Sequence, residues 1–220
     1  MAEPDRASSA DTAFQVGFLA SLLEDVIDAR KRLTENDTPT NRRTAVRTTF
    51  AAIEGMTWLY REHVRFIAKR MQVLTPMADL ALRERSFAVT DGGNIVEQIK
   101  FVTLPTIVKL TNRQAQLIEP AFSLDFGGDG WSALKAALIL RHRITHPKTL
   151  DDLLVGDSDL KIVQAAFEWI STSTEVAMSA VNTAFRAHVA AMRMVLNELA
   201  AGDEDTIAAY RSAMMRDEDE

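Results

Sequence analysis

One short segment of the chain combines the residue types needed for proton transfer and for phosphate binding. It reads Leu-Arg-His-Arg-Ile-Thr-His-Pro over residues 140–147. A histidine near neutral pH can take up a proton or give one away. An arginine can hold a phosphate through two parallel N–H groups. The segment is therefore the part of this chain where chemistry is most expected.

The position of this segment at the end of an apolar helix determines how its side chains are presented. Residues 131–140 are apolar almost all round, which predicts a central, buried helix with Arg141 on the same face as Leu134. A continuous helix would hold Arg141 and His146 about 140° apart. Pro147 disfavours helical geometry at His146. We therefore expect the helix to unwind there and the imidazole to turn toward the guanidinium.

In an all-α chain, this order of residues resembles the signature of the HEPN superfamily (higher eukaryotes and prokaryotes nucleotide-binding), in its Arg-x4-His form. The resemblance implies a helical-bundle core, a homodimer that brings two motifs together across a cleft, and in many members metal-independent cleavage of RNA. It implies Arg141 and His146 as the functional pair and His142 as the supporting polar residue. A toxin–antitoxin or defence role fits the same resemblance. Some nuclease members carry an aromatic residue two places after the histidine, where this chain has Lys148.

Two interpretations without catalysis stay open for this motif. The same cleft of a helical dimer could bind a nucleotide, RNA or a regulatory protein partner without cleaving anything. Alternatively, Arg141 pairs with a carboxylate inside the bundle, for which Glu54 is the candidate, while His146 caps a helix C-terminus. In the RNA interpretation, Arg143 and Lys148 are the candidate RNA contacts, because they flank the motif with positive charge.

The other two histidines are expected to do no chemistry. His63 follows Glu62 near a basic stretch and is expected to be solvated. His188 lies on the apolar stripe of the last long helix and is expected to be a core or interface residue.

Most other classes of active site are excluded by missing motifs. The chain has no Gly-x-x-x-x-Gly-Lys loop, no Gly-x-Gly-x-x-Gly, no Gly-x-Ser-x-Gly and no His-Glu-x-x-His. It has no cysteine, which excludes disulfides, thiolate nucleophiles and cysteine-ligated metal centres. With only four histidines in addition, neither a cofactor nor a metal site is predicted.

Hydrophobic periodicity predicts an all-α bundle of about five helices with a long last helix. Turn residues between two β-prone runs predict a small hairpin at 86–97. Gly55 predicts a close helix crossing. The expected domain is residues 12–202, preceded by a disordered leader over 1–11 and followed by an acidic tail over 203–220 that carries a short helix. The predicted helices run from Phe14 to Glu35, from Val46 to Thr75, from Pro105 to Pro120, from Trp131 to Pro147 and from Asp157 to Gly202.

Composition limits the partners. The net charge of −6 lies entirely in residues 198–220, so the rest of the chain is neutral and an RNA partner is not excluded. Seven basic residues against two acidic ones over residues 41–70 allow a basic helix face. The apolar stripe from Leu160 to Leu199 is longer than one bundle can cover, which predicts a homodimer. With no secretory signal and no apolar run long enough for a membrane span, we expect a cytoplasmic protein without a membrane partner.

Overall fold

The computed structural model describes the backbone of residues 5–217 and the side chains of residues 17–213. A short 3₁₀ turn over Asp151–Leu153 precedes the longest helix. The predicted all-α bundle with a small hairpin is confirmed. Residues 1–4 of the predicted leader and 218–220 of the predicted tail lie outside the described residues. The first helix begins at Asp5, within the predicted leader. The elements are α1 Asp5–Glu35, α2 Pro39–Arg70, α3 Pro76–Leu82, β1 Arg85–Val89, β2 Ile95–Ile99, α4 Leu104–Ile118, α5 Asp129–Thr145, α6 Asp157–Ala201 and α7 Glu204–Asp217.

The centre of the bundle is α2, which packs against α1, α4 and α6. Of its 32 residues 14 are buried, against five of the 17 in α5. The prediction that α5 is the central helix is therefore wrong. Because α5 packs mainly on α6, only one stripe of it is covered, and Ile139 on its outer side is 72% exposed. Apolar composition alone does not reveal how many neighbours a helix has.

The predicted close crossing at Gly55 is confirmed. A Cβ atom at this position would lie 2.3 Å from Leu22 Cδ1 and 3.3 Å from the Phe18 ring. Both contacts belong to α1, so the absence of a side chain at Gly55 lets α1 approach the central helix.

The end of α2 differs from the prediction that it continues to Thr75. The helix ends at Arg70, and Gln72 takes a left-handed conformation with φ 59°. Pro76 begins α3, whose N-cap Thr75 accepts a hydrogen bond from the Ala78 N–H at 3.2 Å. The proline thus occupies the first turn of a new helix, where its missing N–H is tolerated.

The two strands form an antiparallel hairpin in which Phe87 faces Glu97 and Val89 faces Ile95. Gly93 in the connecting turn has φ +76°, which a glycine adopts without steric cost. The hairpin therefore confirms the prediction for 86–97. It connects α3 to α4 and brings the segment after β2 beside α2.

The last long helix outruns the bundle, as its stripe predicted. Its buried residues end at Val181, although α6 continues to Ala201. Beyond that point Met192, Met194 and Leu196 are between 51% and 63% exposed. Within residues 5–217, no helix combines the length and the apolar character that a membrane crossing requires.

Candidate functional site

The Arg141–His146 segment forms the last turn of α5 and its cap. The helix is regular through Thr145, and His146 is the C-cap residue with φ −125° and ψ 59°. The His146 N–H still donates to the His142 carbonyl at 3.0 Å. The predicted unwinding before Pro147 is therefore confirmed, and it begins at His146 itself.

Arg141 points from α5 toward α2. Its Nη2 donates to Glu54 Oε1 at 3.0 Å, so the partner that sequence reasoning named for it is correct. The expected burial is wrong, because the Arg141 side chain is 36% exposed and that of Glu54 is 46% exposed. The pair lies at the open edge between the two helices, since α5 is a peripheral helix.

The two histidines of the motif lie together, on the solvent side of α5. Both are exposed. Their ring centroids are 5.1 Å apart, with an angle of 53° between the planes. The His146 ring thus packs against His142, its neighbour one turn back, while the Arg141 guanidinium is held by Glu54. The structure brings the two imidazoles together and places the arginine beside them on the neighbouring side of the helix.

The two flanking cations have different roles. Arg143 donates to the Asp151 carbonyl at 3.0 Å and to Asp159 Oδ2 at 3.3 Å, so it ties the connecting turn to α6. Lys148 is exposed, and its backbone N–H donates to the Asp152 carboxylate at 2.8 Å. That N–H is the main cause of a lowered pKa of Asp152. Of these two predicted RNA contacts, only Lys148 has a side-chain charge that is not paired within residues 17–213.

Sequence reasoning missed Arg47 as a neighbour of the motif. Its Nη2 donates to the Ile144 carbonyl at 2.8 Å, in the last turn of α5. The basic stretch over residues 41–70 was the only available signal, and it does not indicate which of its members reaches α5.

A cleft lies on the Arg141 side of the motif, between α2, α5 and the segment that leads from β2 into α4. Its volume is about 530 Å³. Two arginine–glutamate pairs cross it, since Arg61 Nη1 lies 2.9 Å from Glu84 in addition to the Arg141–Glu54 pair. Two aromatic residues, Trp58 and Phe101, also line it, together with Thr57, Val102, Leu104 and Ile107. Neither histidine of the motif lines it.

No protein-family model matches this chain, and neither does a curated protein or a solved structure. The HEPN resemblance therefore stays a prediction that rests on the motif residues alone.

The histidines outside the motif correct one expectation. His63 on α2 is partly buried rather than solvated, and its Nε2 atom is shielded from water. Burial lowers its pKa. His188 is only half-buried on the distal part of α6, where the bundle has ended. Within the described side chains, no three histidine, aspartate or glutamate residues are grouped closely enough to hold a metal ion.

The arrangement can support proton transfer next to a bound anion or polar ring. Two imidazoles within 5.1 Å can act as proton acceptor and proton donor on one substrate. Arg141 uses one terminal nitrogen for Glu54, and a guanidinium has five N–H donors in total. Donors for a ligand are therefore available beside the histidine pair.

Proposed function

We propose that this protein is a homodimeric, HEPN-like endoribonuclease that cleaves single-stranded RNA in the cytoplasm without a metal ion. The observation that carries the proposal is the pair of exposed imidazoles, His142 and His146, at 5.1 Å on the end of α5. Two imidazoles that lie side by side and open to solvent match the need of RNA transesterification for one group that takes a proton and one that gives a proton.

In the proposed reaction one imidazole removes the proton of a ribose 2′-hydroxyl, and the 2′-oxygen attacks the adjacent phosphorus. The bond from phosphorus to the 5′-oxygen breaks, and the second imidazolium gives its proton to that oxygen. The products are a 2′,3′-cyclic phosphate and a free 5′-hydroxyl. Each histidine ends in the protonation state of the other, so water must return the pair to its starting state.

Arg141 has the role of binding the strand next to the histidines. Its pair with Glu54 is solvent-exposed on both sides, and such pairs contribute about 0–1 kcal/mol. An RNA group can therefore take up the remaining N–H donors of Arg141 without a large loss elsewhere. Lys148 supplies a further free cation to the backbone of the strand.

The homodimer in this proposal is supported by the distal part of α6. Beyond Val181 the helix has no buried residue, and Met192, Met194 and Leu196 are each more than half exposed. A second copy packed on this stretch would remove that apolar surface from water. The family resemblance implies that such a dimer brings two motifs to one cleft.

The test is cleavage of a single-stranded RNA in buffer that contains EDTA, with the products identified by their termini. We expect a cyclic phosphate and a 5′-hydroxyl from the wild-type chain. His146→Ala and His142→Ala should each lower the cleavage rate by about 100-fold or more, the usual contribution of a general acid or base. Ser132→Ala, at an exposed position near the start of α5, is the control and should cleave at the wild-type rate. Cleavage that persists in both motif variants contradicts the assignment.

A second candidate function is RNA, nucleotide or regulatory-protein binding without cleavage. Two observations favour it: Glu54 already occupies part of Arg141, and the motif lies at the carbonyl end of α5, where the helix dipole disfavours a phosphate. In that case the wild-type chain retains RNA on a filter and Arg141→Lys weakens retention, while no product termini form.

A further inference from the structure

An exposed aromatic ring stands at the edge of the cleft. Phe101 lies two residues after the end of β2, and 85% of it is exposed to solvent. A single exposed apolar residue is common on protein surfaces and needs no explanation by itself. The backbone on both sides of Phe101 is held, however. The Lys100 N–H donates to the Glu84 carbonyl at 2.8 Å, and the Val102 N–H donates to the Glu84 carboxylate at 2.9 Å.

Glu84, which makes both bonds, is itself held in an unfavourable conformation. Its φ of 53° lies in the left-handed region that residues other than glycine rarely adopt. Arg61 from the central helix donates to the same carboxylate at 2.9 Å, and its side chain is only 12% exposed. The Glu84 side chain therefore connects α2 to the segment that carries Phe101. Residues in such conformations persist where the surrounding structure stabilises them.

Glu54 and Arg141 offer the cleft one group that only accepts hydrogen bonds and one that only donates them. Glu54 presents a carboxylate that only accepts, and Arg141 presents a guanidinium that only donates. The two are adjacent at 3.0 Å and both are open to solvent. An aromatic platform beside an acceptor and a donor fits a planar heterocycle whose edge carries donors and acceptors in adjacent positions.

We propose that this cleft binds a guanine base, stacked on Phe101 and recognised by Glu54 and Arg141. The carboxylate of Glu54 accepts from the N1–H and the 2-amino group of guanine, which point the same way. Arg141 donates to O6 and N7 on the adjoining edge, the pairing by which arginine reads guanine elsewhere. Bases released from a strand are bound in this manner, by stacking on an aromatic side chain and by their hydrogen-bonding edges.

The other bases match the same groups poorly. Adenine has an acceptor at N1, which would face the Glu54 carboxylate, and an amino group where Arg141 needs an acceptor. Hypoxanthine keeps O6 and N1–H but lacks the 2-amino group, so it should bind between guanine and adenine. The volume of about 530 Å³ leaves room for a base together with part of its ribose.

This inference rests on the proposed function, because Arg141 belongs to both the cleft and the motif. In this proposal, the phosphate of a guanine nucleotide held by Arg141 lies along the surface of α5, toward the next residue, His142. Cleavage by the histidine pair would then occur next to a guanine. Arg141 serves the base and the imidazoles act at the phosphate.

The experiment measures binding of 5′-GMP, 5′-IMP and 5′-AMP to the full chain by titration calorimetry. We expect GMP to bind about tenfold or more tightly than AMP, with IMP between them, since one bidentate base contact discriminates by at least that factor. Glu54→Gln should weaken GMP about tenfold and leave AMP unchanged. Phe101→Ala should weaken all three by a similar factor, because stacking does not depend on the base.

Matched controls are Glu175→Gln, an exposed glutamate on α6, and Phe66→Ala, a 51%-exposed phenylalanine on α2. Both should bind the nucleotides as the wild type does. Equal affinities for GMP and AMP, or a GMP preference that survives Glu54→Gln, would overturn the inference.

Parallel RNA digests separate this inference from the proposed function. GMP-selective binding without RNA cleavage supports the guanine site and contradicts the ribonuclease. Cleavage that shows no preference for sites next to guanine supports the ribonuclease and overturns the guanine site.

Discussion

Two arginine–glutamate pairs line the same cleft. The nitrogen–oxygen distance is nearly the same in both, but the pairs differ in burial. Arg61 lies 2.9 Å from Glu84, and Arg141 lies 3.0 Å from Glu54. The inner pair is 12% and 27% exposed, whereas the outer pair is 36% and 46% exposed. Water screens the outer pair, but loss of one partner from the inner pair leaves a poorly solvated charge. The inner pair therefore stabilises the fold, and the outer pair can exchange partners with a ligand.

The largest expected effect comes from breaking the inner pair. Arg61→Met keeps most of the side-chain volume but leaves Glu84 without its cation. We expect the free energy of unfolding in urea to fall by about 2 kcal/mol, somewhat below the value for a fully buried pair because Glu84 is partly exposed. Arg113→Met, at an exposed position on α4, should stay within about 0.5 kcal/mol of wild type. Equal urea midpoints for the two variants would contradict the assigned difference.

A smaller effect should appear in the acid range. Burial by itself raises the pKa of Glu84, but the Val102 N–H and the Arg61 guanidinium outweigh it, so the pKa lies below the usual 4.5. A carboxyl whose pKa is lowered by folding stabilises the protein at pH values above its pKa in the unfolded chain. This stabilisation is lost as the pH falls through its pKa in the folded protein. We therefore measure the free energy of unfolding from pH 5 to pH 3, about one unit either side of the pKa of an unfolded glutamate. Over this range Glu84→Gln should lose less stability than the wild type. Parallel curves for the two proteins would show that the Glu84 carboxyl is not stabilised by its partners.

The outer pair should affect stability least while affecting function most. Arg141→Ala removes an exposed pair, so we expect a loss of less than about 1 kcal/mol in thermal or urea unfolding. RNA binding or cleavage should nevertheless be lost. Arg141→Lys keeps the charge without the planar N–H groups and should lose function with still less change in stability. If Arg141→Ala instead unfolds as early as Arg61→Met, the two pairs are alike and Arg141 is structural.

The distal part of α6 extends the comparison to an exposed apolar region. Leu196 is 59% exposed, so Leu196→Glu should change the stability of the single chain by no more than about 0.5 kcal/mol. In a homodimer it would place a charge in the interface. Light scattering at micromolar concentration should then show the wild type at twice the 24.4 kDa chain mass and the variant at the chain mass itself. A wild-type mass of one chain would contradict the dimer.

Much of the fold could be predicted because helices and turns depend on nearby residues. The apolar period of α6, the glycine turn of the hairpin and the N-terminal proline of α4 each act within a few positions, and the structure contains all three elements. The same local reasoning found that the helix unwinds at His146 before Pro147. Local reasoning also indicated that Arg141 needs an acceptor, for which Glu54 was a candidate, and the structure identifies Glu54 as that acceptor.

The tertiary structure alone decided how much of each element is covered and which segments meet. The sequence marked α5 as apolar but could not count its neighbours, so the burial expected for Arg141 was wrong. Arg141 and Glu54 are 87 residues apart in the chain, and Arg42 reaches the Val155 carbonyl across 113. Likewise, Phe101 lines one cleft with both ion pairs because of where α2, α5 and the segment after β2 pack. Contacts of that kind are set by side-chain packing between distant segments, for which local periodicity carries no signal.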